Sequence, residues 1–201
     1  TSWGSRRPTW REMIPDDWSR GATEEEYREQ VNTYAELAVT AAKGDVQRTV
    51  ELIRRLHDLP RSARNQLLDY LRCQAVVSAS EEDRFVLWYE LIDLVLRHRN
   101  YEHADWAMEP DIVAEIADVA GKLVPNLPKY RHQRLFTDSE SGLYDRKGSY
   151  EEQRRELERR RQEAIDEIFA HGGIDEVIEF AEMVELPWCV GFALAEISAC
   201  A

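Results

Sequence analysis

The chain has 201 residues, 43% of them hydrophobic and 32% charged, which supports a packed core under a charged surface and excludes wholesale disorder. A formal net charge of −13 sets the body against a phosphate backbone and disfavours broad nucleic-acid binding. No apolar run approaches the ~20 residues of a membrane span, and nothing at the start reads as a signal peptide.

Residues 1–22 contain Trp3, Trp10 and Trp18 around Pro8 and Pro15. Proline disfavours helix in the residue before it, so this stretch reads as an extended arm. It is locally basic, with four arginines against three acids in its first 20 residues. The opening "TSWGSRRPTW" lacks Met, and we read the chain as an internal or C-terminal piece of a longer protein.

From Thr23 a capping box with Glu26 opens a helix, and Gly44 is its stop. Its apolar stripe is read as Tyr27, Val31, Tyr34, Leu37 and Ala38. Asp45 caps a second helix with Val46, Val50, Ile53 and Leu56 on one side. Pro60 ends it or opens the next, which carries Leu67, Leu68, Leu71 and Val76. Ser80 with Asp83 starts a helix whose Phe85, Trp88, Tyr89, Ile92 and Val95 form a wide apolar face, so it is expected to be the most buried. Pro110 stands at a helix-start position.

Residues 125–149 read as an irregular insertion, and loops of that length are often functional. Ser149 and Glu152 form a second capping box ahead of the charged helix "YEEQRRELERRRQEAIDEIFAH", which Gly172 and Gly173 should end. Glu151–Arg155 and Glu156–Arg160 fall at ion-pair spacing, whereas Glu163–Glu167 repel. An apolar stripe of Ile174, Val177, Ile178, Ala181 and Val184 follows. Pro187 then opens a last helix that is apolar nearly all round, with Gly191 allowing a close neighbour. Such an unpolar face suits an interior layer, or a face covered by the Trp-bearing arm, rather than the end of an array. The fold expected is all-α, about eight helices, built as antiparallel hairpins stacked in a solenoid-like or irregular bundle over residues 23–201.

Candidate sites are few. Lys129, Arg131, His132 and Arg134 stand beside Tyr130, Leu135 and Phe136. One reading is an anion or phosphate site with arginine as forked donor. The heavier reading is a docking segment whose cations pair with the acidic body. Asp138, Glu140 and Asp145 fail the calcium-loop spacing. His57, His98, His103, His132 and His171 are scattered and read as surface or capping residues. Cys73, Cys189 and Cys200 show no metal or disulfide spacing, and Cys73 and Cys189 read as core residues in a reducing compartment. No phosphate-loop, dinucleotide or nucleophile-elbow motif occurs.

"RHQRLF" (131–136), the charged helix, and "GGIDEVIEFAEMVELPWCVGFALAE" resemble helical-array segments of very large bacterial STAND-type NTPases. "RPTWREMIP" resembles a linker in the same proteins. The resemblance implies a recognition or scaffold role within a longer polypeptide, in some cases one acting in anti-phage defence. It supplies no catalytic residue, because the ATPase lies outside it.

The function expected is a non-catalytic, cytoplasmic scaffold or ligand-sensing segment with no cofactor and no metal. It would bind a protein partner or the rest of its own chain through Trp10, Trp18, Lys129, Arg131, His132, Arg134 and Phe136. The alternative is a small nucleic-acid- or phosphate-binding domain, or enzyme, using Arg131, His132 and Arg134.

Overall fold

The computed structural model describes residues 23–100, 107–137 and 148–200. Among these residues the fold is all-α, with no strand. The chain divides into two compact units, Thr1–Val77 and Ser78–Ala201. The arm at 1–22 lies outside the described residues.

The first unit holds α1 (Glu24–Ala42), α2 (Val46–Ile53), a 3-10 turn (Leu56–Asp58), α3 (Arg61–Arg72) and α4 (Gln74–Val77). The Thr23–Glu26 capping box forms in both directions, and Gly44 at φ 84° turns the chain out of α1. The Asp45 carboxylate accepts from the Arg48 amide at 3.0 Å and starts α2. The core of this unit is Val50, Ile53, Leu56, Ala63, Leu67, Leu68 and Leu71, all nearly or wholly buried. Thr49 is buried too, and its hydroxyl donates to the Ala42 and Asp45 carbonyls, which satisfies it.

The stripe of α1 differs from the one read off the sequence. Ala35, Val39 and Ala42 are the buried positions, while Tyr27 and Leu37 face out. At 100° per residue the two stripes are neighbours, and α2 and α3, which pack on α1, select the one with small side chains. Tyr70 of α3 accepts from the Gly44 amide at 2.7 Å and holds that end in place.

The second unit holds α5 (Glu81–Asn100), α6 (Pro110–Lys122), α7 (Pro128–Arg131), a 3-10 turn (Gln133–Phe136), α8 (Tyr150–Met183) and α9 (Pro187–Cys200). The consecutive helices α5 and α6 pack together, as do α8 and α9. Among the α5 residues from Glu81 to Arg99, only Glu82, Arg97 and Arg99 are exposed, in line with its expected burial. Its deepest positions are Leu87, Leu91, Leu94 and Val95; Phe85, Tyr89 and Ile92 are half-buried. His98, expected at the surface, is buried instead. The Met108 amide donates to its Nδ1 at 3.0 Å, and that hydrogen bond compensates the imidazole for lost water.

A second core cluster joins Phe136 to Ala164, Ile165, Ile168, Val177, Phe180, Cys189, Val190 and Ala193. Burying each large apolar side chain there contributes about 1.5–3 kcal/mol. Ile174 and Ile178, expected inside, are exposed, because Val177 and Phe180 take the inward face. Gly172 and Gly173 do interrupt the charged helix: Gly173 sits at φ 69°, ψ −159°, a kink between two helical runs. That conformation is open only to glycine at low cost.

Candidate functional site

The 129–136 segment is ordered by Glu81, whose carboxylate accepts from the Asn126 and Leu127 amides at 2.7 and 3.0 Å and from the Asn126 side chain. Burial raises the Glu81 pKa, but these bonds outweigh it and hold the group below the usual carboxylate range. The expected irregular insertion contains two short helical turns where it is described: α7 and the following 3-10 turn lie within it. The calcium reading at 138, 140 and 145 falls outside the described residues, as does His103.

The basic residues of the segment find counter-charges inside their own unit. Lys129 Nζ lies 2.8 Å from Glu179, whose hydrogen bond raises the lysine's pKa. Arg131 and His132 both reach Glu167, at 2.6 and 2.7 Å. The His132 bond holds Glu167 below its ordinary range, burial opposes this, and Arg131 adds to the lowering. Arg134 is only 3% exposed. Its guanidinium lies 4.3 Å over the Tyr89 ring and donates to the Tyr89 carbonyl and to Asp93. Phe136 is wholly buried and meets Phe180 edge to face at 5.0 Å. The segment thus clamps α5 and α8 together, with Phe136 as its anchor. Trp10 and Trp18 lie outside the described residues.

On α8, the pairs expected for Glu151–Arg155 and Glu156–Arg160 form, at 3.9 and 2.8 Å. Glu156 also meets Arg159, and the two arginines hold it down to about 2. The expected Glu163–Glu167 repulsion is relieved, because Glu163 pairs with Arg159 and Glu167 with the 129–136 segment. His171 Nδ1 and the largely buried Glu176 carboxylate lie 2.6 Å apart beside the Gly173 kink.

The surface that stands out is on α9. From Pro187 to Ala195 it carries no charged residue. Cys189, Val190 and Ala193 turn inward. Trp188 and Phe192 remain 60% and 67% exposed, with their rings edge to face at 5.9 Å. Gly191 is expected to make room for a close neighbour, yet no described atom lies within 4 Å of a Cβ built there. Across from these residues, Tyr150 at the start of α8 is 73% exposed. Together with Arg154, Leu157, Glu158 and Arg161 they line a groove of about 450 Å³. Exposed aromatic area of this kind marks docking surfaces.

No protein-family model, characterised protein or solved structure matches the chain.

Among the described residues no three His, Cys, Asp or Glu side chains converge as a metal site. None of the helices searched is long and apolar enough to cross a membrane. Burial pushes the Cys189 thiol up, against a lowering influence of Arg161, so it is a neutral packing group rather than an activated nucleophile. Sequence reading missed the groove because Trp188, like Cys189 and Val190 beside it, counts as apolar in a pattern. The signal was the lack of any polar face on α9.

Proposed function

We propose that the chain is a non-catalytic helical recognition segment that docks a protein partner in the groove between α8 and α9. The observation that carries this reading is the exposed pair Trp188 and Phe192, opposite Tyr150. Tryptophan and tyrosine dominate binding energy at protein interfaces when a partner covers them. Leaving three such rings in water gives nothing to the fold itself. The resemblance of residues 131–136, α8 and α9 to sensor arrays of large bacterial STAND-type NTPases supplies the setting we assign: a cytoplasmic sensing or scaffold region of a longer defence protein. The phosphate-binding alternative has less support, because Arg131, His132 and Arg134 already meet Glu167 and Asp93.

The test is a photo-crosslinking amino acid at Phe192, with the same group at the exposed Glu25 as control. A discrete protein adduct is expected from position 192, absent from position 25 and lost on Trp188→Ala. Equal adducts from both positions, or an adduct indifferent to Trp188→Ala, overturn the reading.

A further inference from the structure

Resting on the reading of this groove as a docking surface, we propose that its partner is an apolar peptide segment bearing carboxylates, with Arg161 as the group that selects them. The groove's walls are apolar: Tyr150, Leu157, Trp188 and Phe192. Its charges are two arginines and one glutamate, the opposite balance to the −13 of the whole chain. Arg154 and Glu158 satisfy each other at 3.0 Å. Arg161 has no carboxylate partner among the described residues. Its Nε donates to the Leu135 carbonyl at 2.6 Å, and its guanidinium lies 5.6 Å from the Phe136 ring centroid. Neither the carbonyl nor the ring supplies a counter-charge.

A half-buried guanidinium fixed by a carbonyl is a pre-aimed forked donor. When a partner covers the groove, water leaves, and the arginine either meets an acceptor of opposite charge or stays unpaired in a drier site. A cationic segment would face like charge. A neutral apolar segment would fill the walls and strand Arg161. A segment with large apolar anchors and a carboxylate satisfies both parts. A second copy of this chain fits less well, since the same face offers one carboxylate, Glu158, and Arg154 already holds it at 3.0 Å.

The experiment uses the full chain and three fluorescein-labelled twelve-residue peptides. They share the same Leu and Trp positions and carry Glu, Gln or Lys at every polar position. Binding is read by fluorescence anisotropy at one ionic strength. The Glu peptide should bind about tenfold tighter than the Gln peptide, with Lys weakest. Trp188→Ala should weaken all three. Arg161→Gln should remove the Glu-over-Gln preference, bringing the affinities of the two peptides together. Arg161→Lys, which keeps the charge without the fork, should restore part of the preference and guards against a folding defect in Arg161→Gln. Equal binding of the three, or a Lys preference, overturns the assigned partner chemistry and leaves the docking reading standing. No binding by any peptide, or binding indifferent to Trp188→Ala, overturns both. A dimer in sedimentation that Trp188→Ala abolishes also overturns the proposal, by making the groove a self-interface.

Discussion

Gly173→Ala tests the kink that sets the second half of α8 against α9. Helix propensity alone makes any glycine-to-alanine change inside a helix favourable by roughly 0.5–1 kcal/mol. At Gly173 the backbone stands at φ 69°, ψ −159°, where a Cβ is strained by about 1–3 kcal/mol. Space is not the issue, because no described atom lies within 4 Å of the added carbon. Alanine also narrows the unfolded ensemble, which returns ~0.4–1 kcal/mol. At the middle of the strain range the net is a loss of about 1–1.5 kcal/mol. With a urea slope of ~2 kcal/mol per molar, the unfolding midpoint falls by about 0.5–0.8 M. Gly121 in α6 is the matched control: it is exposed, has no positive φ, and has open space around it. Gly121→Ala should raise the midpoint. Urea titration followed by far-UV circular dichroism compares the two. If both substitutions move the midpoint upward, the kink is not a strained glycine corner and the reasoning fails.

Phe136→Ala empties a wholly buried ring and its edge-to-face contact with Phe180. It should cost about 3–5 kcal/mol in the same titration, and a cost under ~1 kcal/mol would show that the 129–136 segment does not anchor on α8. Glu167 has a folded-state pKa below its ordinary 4.5, held there first by His132. Its contribution to stability is therefore full above pH 4.5 and is lost as pH falls through the lower folded value. Glu167→Gln should flatten that part of the acid limb, and an unchanged acid limb would count against the pair. Trp188→Ala should shift the urea midpoint by no more than the equivalent of ~0.5 kcal/mol, since the side chain is mostly in water; a large loss would make Trp188 a structural residue rather than a docking one.

Much of the fold could be read without coordinates. The Thr23 and Ser149 capping boxes, the Asp45 cap and the Gly44 stop are local hydrogen-bond and dihedral events, complete within a few residues, and each formed as its residues demanded. The Gly172–Gly173 break belongs with them. The stripes of α2 and α3 were also legible, because only one face of each helix is apolar. What the sequence could not decide was which of two adjacent stripes a helix buries. On α1 and on the second half of α8 both were apolar, and the neighbour that docked chose Ala35 over Leu37 and Phe180 over Ile178. His98 is a similar case: its burial depends on an amide ten residues away in the chain.

The candidate site divides along the same line. The sequence determined that 129–136 is basic and aromatic, that residues 187–195 carry no charge, and that the chain as a whole is strongly acidic. Whether those cations are open to a ligand depended on where Glu167, Glu179 and Asp93 arrive, 36, 50 and 41 residues from their partners. Pattern is a property of neighbours in sequence, whereas neutralisation and exposure are properties of neighbours in space. The tertiary structure therefore closed the site that composition suggested, and left Trp188, Phe192 and Arg161 around a groove that composition alone could not place.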